Sequence, residues 1–239
     1  MRMPKIALGN VSVDVVLKDI KHVHLTVHPP SGRVRIAAPR RMSLDRIRLF
    51  AIAKLGWIRR QQAALRAQER EEPRDYIDRE SHFVWGRRYL MAVVERDSAP
   101  SIELKSRKLV LTVRAGTTEA RREALVDGWY RQQLKDAVPA LLERWEPVIG
   151  VKAGRVSVRR MKTRWGSCNH RTGSILLNTE LAKKPVECLE YVLVHELIHL
   201  IDPTHNARFV ALMDSFLPGW THRRDVLNSL PVRHVEWAY

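Results

Sequence analysis

Cysteine is nearly absent: Cys168 and Cys188 are the two in 239 residues. They form no CxxC pair, so neither a disulfide framework nor a four-cysteine metal site can be built from them. A reducing, cytoplasmic setting is the expectation. No uninterrupted apolar run approaches the roughly 18 residues of a membrane span, and the opening MRMPKIALGN has no apolar core of signal-peptide length. Acidic side chains are scarce, 26 against 42 Lys and Arg, which leaves a net charge of +16. The surplus is uneven: residues 1–116 carry +12, residues 151–184 carry +8 and residues 185–239 carry −3. A polyanionic partner, nucleic acid included, or a phosphate-bearing substrate would suit it. An arginine-rich solvated surface would account for it equally well.

What is present describes a soluble globular chain, 45% apolar and 28% charged, long enough for one large domain or two small ones. Val11, Val13, Val15 and Leu17 alternate, as do Val23, Leu25 and Val27, and Arg33–Ala37 alternates again after the turn at residues 29–32. His22, His24 and His28 share a strand face and read as a polar outer face, since no carboxylate is placed to complete a metal site. Ser43 is a good N-cap for a helix to about Gln68, with Leu44, Ile47, Phe50, Ala51, Leu55, Ile58 and Trp57 on its apolar face. Residues 69–78 read as a charged connector. Phe83–Val94 reads as a hairpin around Gly86, and Ser101–Leu104 and Lys108–Val113 add two strands. Thr117 or Thr118 caps a long helix that Gly150 stops. A short strand at Arg155–Arg160 follows. Residues 1–115 are thus expected to form a β-rich N-terminal part with one helix at about 43–68. Residues 116–239 are expected to form a second, catalytic part.

The second part contains HELIHLIDPTH at residues 195–205. His195 and His199 stand at i and i+4, so they share one helix face and can reach one metal ion. Glu196 stands where a carboxylate can serve as a base without being a ligand. His205 is then available as a third ligand, leaving a fourth position open, as in catalytic zinc sites. The residues around them, Cys188 to Ile201, are apolar almost all round, as in a buried helix. Two His and one Glu in such a helix are costly unless paired or metal-bound.

Before that helix come Lys162-x-Arg164-Trp165-Gly166-Ser167-Cys168, a polar turn, and Ser174–Asn178, with Pro185 opening the helix. A strand beside a metal helix can hold an extended substrate by backbone pairing. Together with Ile175-x-Leu177-Asn178, HELIHL, His205-x-x-x-Phe209 and Pro218-x-Trp220, this stretch resembles the YgjP-like metal-dependent hydrolases, relatives of the SprT-like and WLM zincin metallopeptidases. The matching motifs cover about residues 155–227. The resemblance implies an α+β fold with a zincin-like catalytic core, one Zn²⁺ on His195, His199 and His205, and Glu196 as general base to a metal-activated water. The spacing also matches metzincins, but Asp202 stands where they carry Gly, and no Met-turn is evident.

Arg164 is the first candidate to stabilise developing negative charge, with His222 and Arg223 behind it. Asp202 or Asn206 could orient a ligand histidine, or Asp202 could cap the turn before Pro203. Trp165 and Trp220 could line a cleft or anchor the core, Cys168 suits packing, and Asn178 has no assigned role. The function expected is a zinc-dependent metallopeptidase acting on protein or peptide. One alternative is a metal-dependent nucleoside triphosphate pyrophosphatase, suited by the +8 stretch. The other is a nucleic-acid-binding module with a structural zinc, for which Glu196 would be superfluous.

Overall fold

The computed structural model describes residues 4–28, 31–67, 74–161 and 164–231. Pro29 and Pro30 of the predicted turn, residues 69–73 of the predicted connector and Lys162 lie outside them. The chain is α+β. It divides between Glu69 and Arg70 into two compact units.

In the first unit β1 (Lys5–Leu8), β2 (Val11–Lys18), β3 (His24–His28) and β4 (Arg33–Pro39) form a sheet in the order β1-β2-β4-β3. β2 and β4 run parallel and the outer pairs antiparallel. The predicted alternation holds as far as Val15: Val11, Val13, Val15, Val34 and Ile36 face one core with Ile47, Ala51 and Ile58, and His24 faces solvent, whereas Leu17, expected with them near the end of β2, is 40% exposed. Ser43 caps the helix as read, its Oγ accepting from the Arg46 N–H. The single helix expected is two, α1 (Leu44–Ala53) and α2 (Leu55–Ala67). At Lys54 the N–H is shared between the Phe50 and Ala51 carbonyls, and Gly56, a weak helix former, follows. Trp57, expected on the apolar face, is 37% exposed, and Leu44 is 47% exposed.

The second unit opens with β5 (Ser81–Val84), β6 (Arg87–Glu95), β7 (Ser101–Lys105) and β8 (Lys108–Val113), in the order β5-β6-β8-β7. Its pairing senses repeat those of the first sheet. The hairpin turn has positive φ at both Trp85 and Gly86, as a type I′ turn requires. Thr118 then caps α3 (Glu119–Ile149), and Gly150 ends it in the left-handed conformation. The packing of β8 on α3 explains why the boundary expected at residues 115–116 is not where the units divide. Leu109, Leu111 and Val113 of β8 share one core with Val126, Tyr130 and Leu134 of α3, so that loop lies inside the second unit.

β9 (Val156–Arg159), β10 (Gly166–Asn169) and β11 (Ser174–Asn178) form a third sheet, in the order β10-β11-β9, with β10 antiparallel and β9 parallel to β11. After a 3₁₀ turn at Thr179–Lys183 come α4 (Val186–Ile198), α5 (Ala207–Phe216) and α6 (Trp220–Ser229). α4 is the core of this unit, with Leu189, Leu193, Val194, Leu197 and Ile198 buried completely. The type I′ turn docks at its start: the Trp85 and Gly86 N–H groups donate to the Ala182 and Lys183 carbonyls at 2.8 and 3.2 Å. A Cβ on Gly86 would come within 2.9 Å of Pro185 Cγ. Among the described residues no helix is long and apolar enough to cross a membrane.

His82, fully buried on β5, has its Nε2 3.1 Å from Glu80 Oε1. Burial lowers its pKa below the ordinary 6.5, against the upward pull of Glu80. The unfolded chain therefore takes up this proton first. The resulting contribution to stability is complete above pH 6.5 and is lost as pH falls from there through the folded-state value. Thermal melting between about pH 7.5 and about pH 5.5 is expected to show this loss, and His82→Leu should fall less steeply with acid than the wild type.

Candidate metal centre

α4 ends where its side chains become reactive. The Leu200 and Ile201 N–H groups bond to the Leu197 and Ile198 carbonyls, tightening the last turn, and Pro203 cannot continue a helix. The chain then reverses and brings His205 over the two helix histidines. His205 Nε2 lies 2.9 Å from His195 Nε2 and 3.2 Å from His199 Nε2. His195, His199 and His205 form the one group of metal-capable side chains among the described residues, their ligand atoms all within 4.8 Å of one another. His22, His24 and His28 form no such group.

Metal ligation needs neutral imidazoles, and His195 and His199 are held in that state. Burial, reinforced by His199 and His205, drives the His195 pKa down to about 3, and burial also lowers that of His199. His199 Nδ1 lies 3.0 Å from the Asp202 carbonyl oxygen, a contact that makes Nδ1 the donor and leaves a lone pair on Nε2. His195 Nδ1 is buried with no partner among the described residues. Three imidazole nitrogens converging on one point are the donor set of a divalent transition metal, and the residues fit one.

The loop carrying His205 is fastened at several points. Asp202 Oδ1 accepts from the N–H and hydroxyl of Thr204, each at 3.0 Å, and Oδ2 accepts from Asn206 Nδ2 at 2.9 Å. These donors hold the Asp202 carboxyl below its ordinary pKa. Asn206 in turn caps α5, accepting from the Phe209 N–H at 2.9 Å. Asp202 thus meets His199 through its carbonyl, and with Asn206 it fastens the loop that carries His205. Phe209, buried at the other end of this cap, packs on all three imidazoles, with ring centroids 4.9, 4.7 and 4.9 Å from those of His195, His199 and His205. The sequence offered only its fixed spacing from His205 as a signal.

An open cleft of about 510 Å³ borders the histidines, lined also by Arg164, Trp165, Gly166, Ser167, Cys168, His170, Tyr191 and Glu196. Burial raises the Glu196 pKa to about 7, against the opposing field of Arg164. A carboxyl so poised exchanges a proton readily near neutrality. Burial, with the Glu196 charge, pushes the Cys168 thiol up to about 11, so it stands protonated and unreactive. Arg164 is held beside the cleft by Asn178, whose Nδ2 donates to the Arg164 and Met161 carbonyls at 2.8 and 3.0 Å, tying both residues to β11.

Arg223 does not join Arg164. It pairs with Glu190 on the buried side of α4, and His222 is exposed outside the cleft lining. Trp165 lines the cleft. Trp220 instead stacks on Tyr191, at 6.2 Å and 9°, while its Nε1 donates to Asp214. Tyr191 was not singled out in the sequence, although it lies four residues before His195 on the same helix face.

The family defined as YgjP-like, metallopeptidase domain, matches residues 21–230. The chain belongs to this family, and membership implies a metal-dependent hydrolase with a divalent metal. Among solved structures, the metallopeptidase zymogen abylysin of Pyrococcus abyssi aligns at 24% identity with a TM-score of 0.36, over 40% of this chain and 98% of that one. No curated protein matches the sequence.

Removing a group that orders these histidines is expected to weaken the binding of a divalent metal without unfolding the unit. Asp202→Ala should lower zinc affinity about 10- to 100-fold, read by competition with a chromophoric chelator. His205→Ala should abolish stoichiometric zinc, and unchanged zinc in that variant would reject His205 as a ligand.

Proposed function

We propose that this protein is a zinc-dependent metallopeptidase in which His195, His199 and His205 hold one Zn²⁺ and Glu196 is the general base. The observation that carries the reading is the convergence of three imidazoles, their ligand atoms within 4.8 Å of one another, in the same cleft as the buried Glu196 carboxyl. Zinc bound there would supply Lewis acidity, polarising the substrate carbonyl and acidifying water. Glu196 would take a proton from the attacking water and return it to the leaving amine. Arg164, a cleft-lining guanidinium, would stabilise negative charge developing on the carbonyl oxygen.

The edge position of β10 supports a peptide as substrate. The Asn178 N–H donates to the Trp165 carbonyl at 2.9 Å. In an antiparallel ladder this turns the main-chain groups of Gly166 and Cys168 away from β11, toward the open side. An extended peptide can pair with such an edge and lie across the cleft. A second reading, hydrolysis of a nucleoside triphosphate, is favoured by one feature: Arg164 and His170 both line the cleft, where a phosphate chain would meet them.

The two readings separate on substrate. Zinc-loaded wild type is expected to cleave fluorescein-labelled casein, and Glu196→Gln to lose at least about 100-fold in kcat with zinc retained. Turnover of nucleoside triphosphates alone, released as pyrophosphate, would replace the peptidase reading with the second. Activity indifferent to Glu196→Gln would sink both.

A further inference from the structure

We infer that Gly166 is a positioning residue for Glu196, its missing side chain being what lets the carboxylate stand against the main chain of β10. The inference rests on the reading of Glu196 as general base. A Cβ built on Gly166 would lie 2.5 Å from Glu196 Oε1, 2.9 Å from Glu196 Cγ and 2.9 Å from Val192 Cγ1. Side-chain carbons do not approach other heavy atoms so closely, so something would have to shift. Backbone freedom is not the reason for glycine here, because Gly166 is not among the residues with positive φ. The requirement is one of space, and two of the three atoms that impose it belong to one carboxylate-bearing side chain.

Neither side of this contact can yield cheaply. Glu196 and Val192 are 5% and 3% exposed on α4, so close packing leaves a displaced Glu196 only the cleft that it lines. β10 is held on its other side by β11, with Gly166 opposite Leu177. Arg164 and Trp165, which enter β10, and Met161 are fastened to β11 by four hydrogen bonds of Asn178. The Glu196 carboxylate therefore stands against a fixed strand with the cleft on its open side, and a methyl group on Gly166 would push it that way. Gly166 sets how far it stands from the three imidazoles. Cys168, two residues along the same strand face, also feels the Glu196 charge, so this face of β10 carries the smallest residue where the carboxylate is nearest. Other glycines with close Cβ neighbours, Gly86 against Pro185 and Gly154 against the Thr172 carbonyl, meet backbone or proline and no cleft group.

The test compares Gly166→Ala with the wild type in the full chain, loaded with zinc, on whichever substrate Glu196→Gln fails to hydrolyse. Gly166→Ala is expected to lower kcat about 100-fold, the scale of a displacement near ~1 Å at a reacting group, with KM changed less than about threefold. Zinc stoichiometry and the melting transition should be kept. In the Glu196→Gln background the same substitution should cost less than about twofold further. Adding Gly166→Ala to Glu196→Asp, whose shorter side chain withdraws from the new methyl group, should likewise cost little. A Gly166→Ala enzyme within about threefold of wild-type kcat, while Glu196→Gln is inactive, would overturn the inference and leave the proposed function standing. Loss of zinc or of the melting transition, or equal slowing in the Glu196→Gln background, would also overturn it, assigning the glycine to the fold. Full activity of Glu196→Gln would instead overturn the reading on which the inference rests.

Discussion

Charge buried along α4 is the constraint to which the second unit answers. Glu190, His195, Glu196 and His199 lie on a helix whose other faces are sealed by apolar side chains, and a buried polar group is costly unless something meets it. One turn of the helix meets this cost within the protein. Glu190 accepts from Arg144 Nη1 at 2.9 Å and Trp145 Nε1 at 3.0 Å, both on α3, and from Arg223 on α6. A single carboxylate thereby ties three helices together, and removing any one donor would leave a buried charge short of partners. The later turn is left less complete. His195 Nδ1 has no partner among the described residues, and burial holds the Glu196 pKa near about 7. The same helix is thus anchored at its satisfied turn and chemically available at its unsatisfied one, as expected where perturbed groups mark a site.

The two four-stranded sheets share one strand order and one set of pairing senses, and each is followed by helix. The first unit repeats this strand-and-helix arrangement without the three-stranded sheet and helices that carry the histidines. The repeat explains why a boundary was hard to read from the chain. Strand alternation reveals each strand, but the sheets are told apart only by which helix covers them. Met91, Leu109 and Leu111 belong with Tyr130 and Leu134, whereas Val13, Val34 and Ile36 belong with Ile47 and Ile58. Those are tertiary assignments, and hydrophobic period carries no information about them.

Local chemistry was more legible. The spacing of His195, Glu196 and His199 follows from helix geometry alone, and Thr118, Ser43 and Gly150 act as the caps their side chains and φ requirements predict. The parts that escaped depend on elements distant in sequence. Arg223 looked available for the cleft until Glu190 claimed it. Tyr191 looked like one more core residue of a buried helix, yet its ring meets Trp220 face to face and His195 edge on, at 5.9 Å. Asn178 looked like part of a motif of unknown purpose. Its amide in fact closes the loop that presents Arg164, a role that no spacing rule encodes.

His205 shows how a loop residue can be placed as firmly as a helical one. A side chain on an exposed turn ordinarily samples several rotamers, and bringing it onto two other nitrogens costs conformational entropy. Here hydrogen bonds within the loop offset that cost. Asp202 uses its carbonyl to orient His199 and its carboxylate to order Thr204 and Asn206, and Asn206 begins the helix that carries Phe209 beneath all three rings. One residue therefore links the second and third imidazoles through both its main chain and its side chain. Asp202 stands where a metzincin carries glycine, and the difference has a physical meaning. A glycine there would allow the turn by backbone freedom, whereas this chain enforces it with hydrogen bonds and the following Pro203. Hydrogen bonds of Asp202 and Asn206, and not a flexible glycine, thus set where His205 stands over the two helix histidines.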